Sequence, residues 1–105
     1  MTEADLQKQC IQYCYDNDVL AYKVETPARR GFPDLLLVFP GGRTTFVELK
    51  HPNGHGTLSA LQLVTINSLL NQGADVHVID NYEYFTTLVT KRNDRATAGS
   101  DNTHI

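Results

Sequence analysis

Three features of this 105-residue chain predict an α/β fold in the order αβββαβα, a central mixed sheet flanked by helices. An apolar run, Leu35 to Phe39, is followed by Pro40-Gly41-Gly42 and then by residues 44–50, which reads as strand, tight turn, strand. Ser59-Ala60-Leu61-Gln62 matches a capping box and opens a helix that would carry Leu63, Ile66, Leu69 and Leu70 inward and end at Gly73. Val76 to Ile79 is short and β-branched and reads as a further strand.

The remaining elements follow in order. Thr2 or Asp5 can cap a first helix, whose apolar positions Leu6, Cys10, Tyr13 and Cys14 fall at helical spacing and which should end near Asn17-Asp18. Residues 20–25 alternate around Leu20, Tyr22 and Val24 as a half-buried strand would, with Tyr22 read as core rather than as a base-stacking platform. Residues 26–31 and 51–56, rich in proline and glycine, read as loops. Leu58 and Leu63 are spaced as a hydrophobic staple for the second large helix. Asn81 can cap a last helix with Phe85, Leu88 and Val89 on one side. Residues 1–92 form one domain, and the small polar residues 93–105 are expected to be a disordered tail.

Composition excludes several classes. Forty-one per cent apolar and twenty per cent charged residues are globular values, without the eighteen-residue apolar run of a membrane span. No secretory leader is expected. Cys10 and Cys14 read as half-buried free thiols of a reducing compartment, and the four histidines show no spacing that would complete a zinc site with them. The net charge of −3 argues against nucleic acid as a partner, but its distribution softens that. Residues 23–50 hold five cations against three carboxylates, a balance of +2.

The hairpin carries the chemistry. A three-residue turn at 40–42 sets Phe39 opposite Arg43 and Asp34 opposite Glu48; a two- or four-residue turn would set Leu35 opposite Glu48 instead. In the first register Asp34 and Glu48 share a face with β-carbons about 5 Å apart. Lys50 projects from that face roughly 7 Å further along, while Val47 and Leu49 point to the core. Opposed like charges are destabilising, so a hard divalent cation with oxygen ligands is the natural neutraliser, and the lysine beside it can hold or activate a water. That is a toolkit for metal-assisted phosphodiester hydrolysis. The bland alternative makes Glu48 and Lys50 ordinary charges on the solvated face of an edge strand. Arg29 and Arg30, a pair just before Asp34, read as phosphate clamps rather than loop charges. Lys23 is a third candidate DNA contact. His51 and His55 read as loop residues.

In this order and spacing the chain resembles the virus-type replication-repair nuclease (VRR-NUC) domain of the PD-(D/E)xK nuclease superfamily. The likeness rests on Glu3 before Leu6-Gln7, Pro27-x-Arg29-Arg30-Gly31-x-Pro33-Asp34, Gly42-x-x-x-Phe46-Val47-Glu48-Leu49-Lys50, Leu58-Ser59-x-Leu61-Gln62 and Gly73-Ala74-x-Val76-x-Val78. It implies a restriction-endonuclease-like fold and a metal-dependent endodeoxyribonuclease. Asp34, Glu48 and the main-chain carbonyl of Leu49 would ligate Mg2+ or Mn2+, with Glu3 reaching the site directly or through a water. Lys50 would orient the attacking water, and Gln62 would sit beside it. Glu3 has an alternative as a first-turn carboxylate favouring the helix dipole, and Gln62 as the capping partner of Ser59.

The resemblance further implies DNA as the partner, branched DNA such as a Holliday junction as the substrate, and a homodimer acting in repair or recombination. No organic cofactor or membrane is expected, and size suggests the cytoplasm of a bacterium or of a phage-infected host. A monomeric flap or nicking nuclease, and a non-catalytic DNA-binding or assembly subunit, are the rival readings.

Overall fold

A computed structural model of the chain describes residues 1–26 and 30–98, side chains being described as far as Asp94. Its elements are α1 (Glu3–Asp16), β1 (Leu20–Lys23), β2 (Leu35–Val38), β3 (Thr44–Leu49), α2 (Ala60–Asn71), β4 (Val76–Ile79) and α3 (Tyr82–Ala98). The expected αβββαβα order is realised. The strands form one sheet in sequence order, with β1–β2 and β2–β3 antiparallel and β3–β4 parallel.

Helix α1 starts where the sequence supplies a cap. The Thr2 hydroxyl accepts the Asp5 N–H at 3.1 Å, and the Asp5 carboxylate accepts the Thr2 N–H at 2.8 Å. Leu6, Cys10 and Cys14 recur every four residues and are fully buried. They meet Phe85, Leu88 and Val89 of α3 over the inner face of the sheet, where Leu35, Leu37, Val47 and Leu49 are also fully buried. This core fixes the hairpin register. A one-residue slip would turn those four strand side chains outward, at about 1.5–3 kcal/mol each. The placement of the carboxylates on one side is therefore held by packing on the other.

Three expectations are corrected. In β1 the larger side chains face out: Tyr22 is 54% exposed and Leu20 55%, while Val19 and Ala21 meet the core. The cause is register, since Tyr22 pairs with Leu36 on the face that carries Asp34. In α2 only Thr65 and Ile66 are buried, and Leu63 and Leu70 lie about half exposed, at 50% and 48%. This helix packs on β4 at the edge of the sheet, so only a narrow stripe of it is covered and several of its apolar side chains stay outside. Finally, α3 continues past 92 to Ala98. No proline or glycine interrupts it there, and Asn93 ties it to α1 by donating to the Asn17 carbonyl at 3.0 Å. The rest of the expected tail, 99–105, lies outside the described residues.

Candidate active site

The turn resolves the register in favour of the three-residue loop. The Phe39 N–H donates to the Arg43 carbonyl at 2.8 Å and Gly42 N–H to Phe39 at 2.9 Å, with Gly41 and Gly42 at φ 93° and 90°. Both glycines thus occupy the left-handed region that disfavours other residues. Leu35 pairs with Val47, so the next position outward sets Asp34 across from Glu48.

Asp34 is half-buried, and its Oδ2 accepts the Leu49 N–H at 2.8 Å. Because the N–H and C=O of a strand residue point to the same neighbour, the Leu49 carbonyl leaves β3 on the Asp34 side. Glu48 is 2% exposed. Its Oε2 accepts Gln62 Nε2 at 2.9 Å and lies 3.4 Å from Lys50 Nζ. Its Oε1 is buried with no hydrogen-bond partner among the described residues. Lys50 Nζ donates to Gln62 Oε1 at 2.8 Å.

Gln62 thus serves two roles at once. Its Oε1 also accepts the Ser59 N–H at 2.9 Å, and the Ser59 hydroxyl accepts the Gln62 N–H at 3.1 Å, closing the capping box of α2. The start of one helix and the position of the lysine share a single amide. Glycines bring the surrounding chain close. At Gly31 (φ 86°) a β-carbon would stand 2.7 Å from the Leu61 carbonyl oxygen, so the segment before Asp34 lies directly on the first turn of α2. A β-carbon at Gly56 would meet Lys50 Cβ at 3.0 Å, so the 51–56 loop rests on the lysine stem.

The electrostatics are those of a site short of positive charge. Burial and the Asp34 charge push the Glu48 carboxyl up to about 7, against the pull of Lys50. Burial also raises Asp34, despite the Leu49 N–H and the charges of Lys50 and Lys23. An orphaned, deeply buried carboxylate oxygen beside a second carboxylate suits a hard divalent cation. The donors that fit it are Asp34, Glu48 and the Leu49 carbonyl. Among the described residues no group of three or more His, Cys, Asp and Glu side chains could hold an ion by itself. Glu3 is exposed at the start of α1, and its charge adds to the upward push on Glu48.

The structure therefore brings Asp34, Glu48, Leu49, Lys50 and Gln62 together. Lys23 is exposed but pairs with Leu35, so its side chain leaves on the opposite face of the sheet. Arg30 is exposed on the segment that leads to Asp34, and Arg29 lies outside the described residues. The histidines stay in their loop, where His51 Nδ1 accepts the Asn53 N–H at 3.1 Å.

One cluster had no sequence signal. Asp75 accepts two bonds from Arg92, at 2.9 and 3.1 Å, and one from the Thr45 hydroxyl at 2.7 Å, with His77 Nε2 2.9 Å away. Its members come from β3, β4 and α3, so no local spacing announces it.

The VRR-NUC domain family matches residues 26–81, which include every residue of the cluster around Glu48. The chain belongs to the VRR-NUC family. A solved structure described as a VRR_NUC domain superposes with a TM-score of 0.76 at 26% identity, over 86% of this chain and 97% of the other. A protein of Acyrthosiphon pisum secondary endosymbiont phage 1 named "Putative nuclease p44" is 33% identical over 86 residues, 82% of this chain and 90% of that one. Nuclease function is what this family membership and this relative support. Among the described residues of this VRR-NUC protein, no helix is long and apolar enough to cross a membrane.

Proposed function

We propose that this VRR-NUC protein is a divalent-metal-dependent DNA endonuclease acting on branched DNA. The observation that carries this reading is the unpartnered, buried Glu48 Oε1 set across from Asp34, with a lysine fixed beside it. Asp34, Glu48 and the Leu49 carbonyl would hold Mg2+ or Mn2+, and Glu3 would reach that ion through a water. When bound, the ion supplies charge neutralisation on the phosphoryl oxygens and makes water a stronger acid.

Lys50 is the residue that handles the nucleophile. Gln62 Oε1 and Glu48 Oε2 hold its ammonium in place, so one N–H is free to orient the attacking water and stabilise it as hydroxide. Gln62 positions that ammonium by sharing its amide between helix cap and site. Arg29 and Arg30 would contact phosphates flanking the cut. Cleavage leaves a 5′-phosphate and a 3′-hydroxyl. A two-fold homodimer would suit a four-way junction, where two symmetric strands are cut.

The test is strand cleavage with magnesium or manganese on a four-way junction, matched duplex, flap and single strand, wild type beside Lys50→Ala. Symmetric junction cuts by a dimer, lost in the variant, support the full reading. Cuts confined to flaps or nicks keep the nuclease and replace the junction resolvase by a monomeric flap or nicking enzyme. No metal-dependent cutting of any substrate would make the chain a DNA-binding or assembly subunit.

A further inference from the structure

We propose that Tyr22 is a stacking platform for an unpaired base of the DNA strand held at the Asp34–Glu48 pair, a proposal that rests on the nuclease reading. Four observations converge on it. Tyr22 pairs with Leu36 in the β1–β2 ladder, and Leu36 pairs with Phe46 in β2–β3. Opposed strand residues point the same way, so Tyr22, Leu36 and Phe46 form a row across the sheet. Asp34 lies two residues from Leu36, on the same face, which makes it the diagonal neighbour of Tyr22 with β-carbons about 7–8 Å apart. The row and the carboxylates therefore belong to one continuous surface.

That surface is open at the β1–β2 end. Helices α1 and α3 occupy the other face of the sheet, and α2 packs at its β4 edge, reaching β3 through Gln62. Leu36 and Phe46 are half-buried, and Phe46 is steadied by an edge-on contact with Phe32 at 5.4 Å. Tyr22 stands exposed at the end of the row, with no ring contact or hydrogen bond to its side chain among the described residues. Its ring can therefore take a flat partner without breaking an existing contact.

The adjoining site decides what that partner is. Lys23 leaves on the other face, but its charge still reaches the Asp34 carboxyl, and Arg30 is exposed on the segment that leads to Asp34. An exposed aromatic ring adjoining a phosphodiester site suits a nucleotide, with the base on the ring and its phosphate at the carboxylate pair. A base inside a duplex is already stacked on both faces, so only an unpaired base can use the platform. Tyr22 would thus favour DNA with single-stranded nucleotides next to the cut, such as gaps, flaps and open branch points, over matched duplex.

The experiment compares wild type, Tyr22→Phe and Tyr22→Val, valine keeping the strand preference while removing the ring. Calcium replaces the catalytic metal so that DNA binds uncut. The probes are fluorescein-labelled gapped and matched duplexes, the former with 2-aminopurine at the unpaired position. Wild type and Tyr22→Phe are expected to quench the 2-aminopurine equally. Tyr22→Val should lose the quenching and bind gapped DNA about tenfold more weakly, with matched duplex unaffected.

Unchanged quenching and affinity in Tyr22→Val, with wild type still cutting in manganese, would overturn the platform and leave the nuclease standing. A change of oligomeric mass in Tyr22→Val would assign the face to a second copy of the chain and overturn the stacking proposal. Wild type that neither binds nor cuts any DNA would overturn both readings together.

Discussion

The two ends of β3 each hold a carboxylate cluster, and their chemistry is opposite. At the start of the strand Asp75 is partly exposed yet saturated, with Arg92, Thr45 and His77 around both oxygens. Burial alone would raise its carboxyl, but those partners overcome it and hold the group well below the usual carboxylate range. At the far end Glu48 is almost fully buried and has one oxygen without a partner among the described residues, and its carboxyl rises to about 7. A carboxylate kept for stability is surrounded until nothing further can bind it. A carboxylate kept for chemistry is left with a free valence, and the fold bears that cost through the core beneath it.

The largest test of this contrast is functional. Asp34→Ala, Glu48→Ala and Lys50→Ala should each lower single-turnover cleavage by about 10³-fold or more, while Lys50→Ala still binds the metal ion by calorimetry. Arg92→Ala should cut normally once folded. Its effect falls on stability instead, a loss of about 1–2 kcal/mol after allowance for the partial exposure of the pair. In a domain of this size that lowers Tm by roughly 5–15 °C in a thermal melt.

The pH response should separate the two ends by sign. Glu48 binds its proton more tightly folded than unfolded, so metal-free protein loses stability as pH rises from 4.5 to about 7. Asp75 behaves conversely, and its contribution disappears as pH falls below the ordinary value of 3.8. Melts of metal-free Glu48→Gln should lack the upper slope and exceed wild type at pH 8 by about 1–2 kcal/mol. Added manganese should reverse that order by stabilising wild type alone, since binding to the native state adds to its stability. The smallest effect is expected at the rim. Arg30→Ala should weaken DNA binding a few-fold and reduce the slope of log affinity against log salt by about 1. An unchanged slope would remove Arg30 from the DNA contacts.

The legible parts of this molecule are those in which the signal is local. The Pro40-Gly41-Gly42 turn announced the hairpin and narrowed its register to neighbouring choices, of which the structure takes the one that sets Asp34 across from Glu48. Ser59 and Gln62 announced their cap, and Gln62 then proved to bond Lys50 and Glu48 as well. What the sequence concealed depends on neighbours in space. Alternation showed that Leu20 and Tyr22 share a side, but pairing with β2 decided which side that is. In α2, leucine or valine stands at positions 61, 63, 64, 69 and 70, so periodicity could not select the stripe that β4 would cover. The Asp75–Arg92 pair joins residues seventeen apart on different elements, and nothing short-range marks it.

The shared amide of Gln62 sets an order of events. Lys50 is held by a residue that also closes the first turn of α2, and helix ends open more readily than the cores they flank. On heating, fraying of that turn should release the lysine before the sheet and the α1–α3 core open. On the proposed mechanism, cleavage should therefore fall at a lower temperature than the melting of the fold, as activity and circular dichroism followed on one thermal ramp would show. During synthesis the same dependence runs forward: both carboxylates and the lysine are present once the hairpin has formed, but the lysine gains its bearings only when the chain has been extended to the helix behind it.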